Sequence, residues 1–308
     1  MHALQMIRDY AFVQNALIAG VAVGTVCSLL SVVVVLKRMA FIGEGVAHAG
    51  FGGIGTAIFL GLVGTQASGG GGGGWGMDAV VLAFCLATAL GIGVLSRRRH
   101  VEPDSAIGIL LVAAMAWGVL MSDLRRMWGH SGWYVAWFGQ PAPPPNLETL
   151  LFGSLLSVGP REAVVAVVAA VLIVAVLALL FKEVVFYAFD EQASAVFGVR
   201  ARLIHYLLLA LLAVAIVVTV RLAGIVLVSA LLVAPGATAV LVSRRLVVVL
   251  ATAWGVGMAG VVGGMLVSLQ VGGVSSGPCI VLVLCALFGV ALLVKGRGWR
   301  GRGMGRTA

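Results

Sequence analysis

The sequence predicts an all-α, polytopic membrane protein of about nine transmembrane helices, with eight as the alternative count. Three observations carry that prediction. Hydrophobic residues make up 61% of the 308 and charged residues only 10%, where a soluble domain carries about a quarter of its residues charged. Mean hydropathy is +1.14. Apolar runs recur from end to end, each of about 18 residues or more and so long enough to cross a hydrocarbon layer of roughly 30 Å.

Charged or Pro/Gly-rich punctuation places the spans at about 11–36, 40–62, 78–96, 104–122, 162–181, 203–220, 222–242, 246–268 and 277–294. The first run resembles a signal peptide only superficially. It exceeds an h-region of about 7–15 residues and no cleavage pattern follows it. Lys37-Arg38 closes it, and the second span opens at once with "RMAFIGEGVAHAGFGG" (38–53). "SGGGGGGWG" (68–76) is a low-complexity tether before the third span. Arg97-Arg98-Arg99 ends the third, and "PDSAIGILL" (103–111) begins the fourth. The segment "MWGHSGWYVAWFGQPAPPP" (127–145) then carries Trp128, Trp133, Tyr134 and Trp137. It reads as an interfacial aromatic belt, or alternatively as a docking surface for an external partner. Lys182, Arg200 and Arg202 bracket the loop between the fifth and sixth spans. The 203–242 stretch is nearly continuous, which is why eight spans is the alternative. Within it Pro235-Gly236 reads as a kink or a terminator. Arg244-Arg245 separates the seventh span from the eighth, and the ninth runs out into "GRGWRGRGMGR". The expected organisation is one transmembrane domain over 1–294 and a basic, glycine-rich cytoplasmic tail over 295–308 that meets anionic lipid headgroups.

With these spans, fifteen of the 20 Lys and Arg fall on one side of the membrane; only Arg8, Arg125, Arg126, Arg161 and Arg221 fall on the other. The positive-inside rule then puts the N-terminus outside and the C-terminus in the cytoplasm of a cell (inner or plasma) membrane protein. The net charge of +9 sits at span ends, so nucleic acid is not an expected partner. Cys27, Cys85, Cys279 and Cys285 lie within spans, without zinc spacing, and read as small packing residues. None of the three lysines (Lys37, Lys182, Lys295) sits in a G-x-x-x-x-G-K-[ST] phosphate cradle. The chain is therefore expected to be no enzyme, and any ATP hydrolysis to come from another polypeptide. There is no H-E-x-x-H. "GHSG" (129–132) matches a serine-protease pattern, but the only later histidine, His205, is expected near the opposite face.

Glu44 is the only acid well inside a predicted span; the other ten of the eleven lie at span ends or in loops. At about 1.5 Å per residue, Glu44 and His48 sit roughly 9–15 Å from the cytoplasmic end of their helix. An ionisable group at that depth is costly and marks a functional site by default. The i, i+4 spacing sets both side chains on one face. A carboxylate oxygen with an imidazole nitrogen suits zinc, manganese or ferrous iron. Two ligands do not close a site, so water, other spans or a second chain must supply the rest. A hydrogen-bonded Glu–His pair that only holds helices together fits the same residues. The surrounding glycines, among them Gly43, Gly45 and Gly50, let a helix or a permeating solute approach the backbone.

Further along, "FDEQASAVFGV" (189–199) with "LAGIVLVSALLVAPGATAVLVSRRL" (222–246), and then "SSGPCIVLVLCALFG" (275–289), join the 38–53 stretch in order along the chain. Together they resemble the membrane permeases of ABC importers for zinc, manganese and ferrous iron; 38–53 is similar to that family's R-M-A-L-x-G-D-A-L-S-H-A pattern. Glu44 stands where the family has aspartate. The resemblance implies a fold related to the cobalamin- and siderophore-type permeases. It implies a pathway between two permease chains, identical or different, a cytoplasmic ABC ATPase and an extracytoplasmic metal-binding protein. No permanent cofactor is implied: Glu44 and His48 would ligate the transported divalent metal. Gly43, Gly45, Gly50 and Ser229 would line the pathway or pack its helices. Pro235, Gly236, Arg244 and Arg245 would couple to the ATPase. The alternatives are a permease for metal chelates, whose ligands need no metal-binding side chains in the path, and an ion-coupled carrier, which should hold more intramembrane acids.

Overall fold

The computed structural model describes residues 10–62, 75–96, 103–129, 131, 134–135, 155, 158–189, 200–271 and 274–303, with backbone alone for Trp75 and 296–303. Its helices are α1 (Ala11–Leu36), α2 (Ala40–Phe59), α3 (Trp75–Leu95), α4 (Pro103–Trp128), α5 (Pro160–Leu179), α6 (Phe181–Phe189), α7 (Ala201–Ala223), α8 (Ile225–Val242), α9 (Leu246–Val271) and α10 (Ser276–Gly303). No strand occurs among the described residues. Among the described residues eight helices are long and apolar enough to cross a membrane; α2 and the short α6 are the exceptions.

α2 misses on apolarity, not on length. Its 20 residues span about 30 Å, but Glu44, His48 and six glycines dilute its hydrophobicity. It nevertheless runs beside two candidate spans along its length. It is antiparallel to α3, with Gly45 facing Ile92 and Gly53 facing Val81, and parallel to α4, with Gly45 facing Ile107 and Gly55 facing Gly118. Neighbouring helices shelter what its own side chains would not. The near-continuous stretch behind the count of eight is in fact divided: Gly224, at φ 80° and ψ 165°, separates α7 from α8. A side chain there would be strained, and glycine is not.

One buried cluster runs from Ala16 on α1 to Leu284 on α10 and takes residues from every long helix. Small residues close the crossings. Gly24 and Gly257 bring α1 against α9, Gly236 brings α8 against Ser31 of α1, and Gly264 brings α9 against the Ile280 backbone of α10. Buried hydroxyls donate to carbonyls one turn back, as Thr219 does to Ala215 and Thr238 to Ala234, which satisfies those donors within the helix. Cys27, Cys85 and Cys279 are buried, in line with packing roles. Cys285 is not; it lies on the exposed face of α10.

Three features depart from the sequence expectation; in one of them α10 continues to Gly303, nine residues past the expected end at 294 and into the expected tail. α4 continues to Trp128, six residues past the expected end at 122, because Asp123, Arg125 and Arg126 read as loop but sit on helical turns. Asp123 and Arg126 pair in the open at 3.6 Å, whereas Arg125 is buried with its guanidinium 5.9 Å from the Tyr134 ring. Tyr134 is fully buried and its hydroxyl donates to the Phe59 carbonyl at the end of α2. It is therefore an anchor for the chain after α4 and not part of an aromatic belt. Burial pushes its phenol above the ordinary range, against the opposing influence of Arg125. The third departure is α6, which the sequence reading did not anticipate. It buries Val184 and Tyr187 against Ile204 and Leu208 and leaves Phe181, Lys182 and Phe186 exposed. Arg97-Arg98-Arg99, most of the tether, Trp133, Trp137, the 190–199 segment and the end of the tail lie outside the described residues.

Candidate functional site

The glycines of α2 press three of its sides against neighbours. A Cβ at Gly52 would lie 2.6 Å from the Phe84 ring and 2.7 Å from the Ala114 carbonyl oxygen; one at Gly53 would lie 2.8 Å from Val81 Cα. At Gly55 it would overlap the Gly118 backbone outright. Gly45 meets Ile107 in the same way at 2.8 Å, and Gly43 meets Leu232 of α8 more loosely at 3.2 Å. Gly50 is different. Its nearest neighbour is Cys85 Sγ at 3.8 Å, so a methyl would fit.

What remains of α2 is one open strip, following the i, i+3, i+7 spacing of a helix face: Phe41 and Glu44 exposed, His48 half-buried. His48 Nδ1 lies 3.0 Å from the backbone carbonyl of Glu44. A carbonyl only accepts, so the Nδ1 proton is donated, and the neutral ring keeps its lone pair on Nε2. The helix thereby orients the imidazole, as a carbonyl or carboxylate accepting the far ring N–H orients a metal-binding histidine. The Glu44 carboxylate has no hydrogen bond or ion pair among the described residues. The side-chain Glu–His bond that would make this pair purely structural is not formed.

Among the described residues there is no cluster of three or more His, Cys, Asp or Glu that could hold an ion. Two donors on one strip are an incomplete site, open to water and to whatever faces α2. Ser229, on the half-buried side of α8, donates to Ile225 at 3.3 Å; no hydrogen bond joins it to Glu44 or His48.

The structure separates the four residues expected to couple to an ATPase. Pro235 and Gly236 are buried inside α8, and a Cβ on Gly236 would come within 2.5 Å of Ser31 Oγ. They offer no surface to a second protein. Arg244 and Arg245 are exposed in the turn between α8 and α9, where the Arg245 backbone N–H donates to Ser243 Oγ at 3.1 Å. The sequence reading missed another group: Lys37 Nζ lies 3.8 Å from the centre of the Tyr187 ring, and Tyr187 Oη lies 2.7 Å from His205 Nδ1. This places His205 near the start of α2, whereas Trp128 meets Phe59 edge-on at its far end. Ser131 and His205 therefore form no catalytic pair.

The ABC 3 transport family matches residues 9–295. This chain belongs to the ABC 3 transport family. Among curated proteins of known name, it is 31% identical to the manganese transport system membrane protein MntC of Halalkalibacterium halodurans, over 96% of this chain and 93% of that one. It is 30% identical to the chelated iron transport system membrane protein YfeD of Yersinia pestis, over 92% and 86%. Among solved structures, PsaBC from Streptococcus pneumoniae in complex with Fab superposes with a TM-score of 0.75 at 24% identity, over 94% of both chains; at that identity it speaks for the fold. The family and its apolar helices make this a multi-pass membrane permease.

Proposed function

We propose that this chain is the permease subunit of an ABC importer that carries a divalent transition metal ion into the cytoplasm, powered by a separate ATPase. The observation that carries this reading is the open strip of α2, with a Glu44 carboxylate unpaired among the described residues and an imidazole whose Nδ1 is held by the Glu44 carbonyl. The names of the relatives favour manganese or iron; the donor set suits manganese, ferrous iron or zinc. A second permease chain, identical or different, and water complete the coordination, and an extracytoplasmic metal-binding protein delivers the ion. Coordination stays partial and weak, because a closed four-ligand cage would trap the ion instead of passing it on. Elemental analysis of cells with and without the gene tests the reading. The deletion should lower manganese, iron or zinc, and unchanged content of all three under metal limitation overturns it.

The basic bias of the helix ends supports an N-terminus outside and a cytoplasmic C-terminus. In a background lacking the four native cysteines, a thiol introduced at Ser131 should react in intact cells with a membrane-impermeant reagent, and one at Thr307 should not. Labelling at 307 reverses the orientation. Arg244 and Arg245, exposed on the expected cytoplasmic side, are the residues for a contact with the ATPase. Reversing both charges should weaken co-purification of the ATPase by about tenfold or more, as loss of charged interface pairs does. Unchanged co-purification and metal-stimulated ATP turnover in a correctly inserted double mutant place the contact elsewhere.

A further inference from the structure

A cavity of about 330 Å³ lies where the beginnings of α3 and α5 meet the end of α7. Asp78, Arg161, Glu162 and Arg221 line its mouth, and Val165, Val214 and Val217 line its wall. From Arg221 down to Val214 is two helical turns, about 10 Å. Val165 is 41% exposed, and its neighbours Val164, Val168, Val171 and Leu172 are exposed as well. The wall thus continues into the apolar face that α5 turns toward hydrocarbon. A charged rim at helix ends above such a wall matches the two halves of an amphiphile.

The rim carries both signs. Asp78 pairs with Arg221, and the Glu162 carboxylate accepts the Gly159 N–H at 3.1 Å, capping α5. Two arginines and two carboxylates leave the mouth with no net charge, so it has no bias toward a net anion. Guanidinium groups offer several donors each and carboxylates several acceptor sites, so each of the four groups can take a further partner.

We propose that the cavity binds a zwitterionic phospholipid with a primary ammonium headgroup. One acyl chain lies along the valine wall, the phosphate meets Arg161 and Arg221, and the ammonium donates to Asp78 and Glu162. A trimethylated ammonium has no N–H to donate, and a free phosphate makes no use of the wall.

The test uses the full chain, purified in its transport assembly and equilibrated with vesicles of equal parts phosphatidylethanolamine, phosphatidylcholine and phosphatidylglycerol with matched acyl chains. Native mass spectrometry reads the retained lipid. Phosphatidylethanolamine should be retained in preference to both others. Val217→Phe, which fills the wall, and Arg161→Gln, which removes a charged donor, should each lower its retention by about tenfold, the loss of one charge-assisted bond or its equivalent in contact. Equal retention of the three lipids overturns the proposal. So does unchanged retention of phosphatidylethanolamine in Val217→Phe with an unaltered thermal transition, which would put the lipid elsewhere on the surface.

Discussion

Glu44→Gln and His48→Ala are each expected to lower uptake of radiolabelled manganese or ferrous iron by more than about tenfold, since even residues one step removed from a metal carry about 10–100-fold. The first keeps the shape of the side chain and removes its charge; the second removes the nitrogen. Because Glu44 and His48 lie on the open strip of α2 and do not bridge helices, expression and ATPase co-purification should persist in both variants. Uptake and assembly are therefore separable readouts. If both variants assemble and transport at the wild-type rate, the ion passes elsewhere.

A second large effect is expected at the crossing of α2 and α4. Gly55→Ala adds one methyl group where the Gly118 backbone already stands, and no rotamer change relieves a clash with main chain. Overpacking of this kind costs about 1–3 kcal/mol or more. Gly50→Ala, one and a half turns earlier on the same helix, meets only Cys85 Sγ at ordinary distance. The thermal transition of the purified protein should fall clearly for Gly55→Ala and stay put or rise for Gly50→Ala. Equal transitions would mean that α2 does not lie flat on α4.

The helix frame was legible because apolar runs and their charged ends are local properties of the chain. Lys37-Arg38 separates α1 from α2 and Arg244-Arg245 separates α8 from α9, as the charges mark them in the sequence. α6 was not legible, since nine residues of mixed character, including Lys182 and Glu183, look like the ragged end of a span until Tyr187 finds Lys37 and His205. The last turns of α4 were hidden by their own charges; only tertiary packing buries Arg125. At the site, spacing alone put Glu44 and His48 on one face. Whether they bond to each other, and which of the six glycines of α2 touch a neighbour, depends on helices that approach from α3, α4 and α8. Likewise Asp78, Arg161, Glu162 and Arg221 read as separate span-end charges, and only the fold gathers them around one cavity.

A ligand exchange at position 48 asks directly whether the side chain touches the ion. The permease with its ATPase would be reconstituted in proteoliposomes, and ATP-driven accumulation of manganese and zinc compared between the wild type and His48→Cys. A thiolate favours zinc over manganese far more than an imidazole does. If His48 is a ligand, the zinc-to-manganese ratio should rise in the variant even as total transport falls. If instead both metals slow by one common factor and the ratio does not move, His48 does not contact the ion and the metal path does not run along α2.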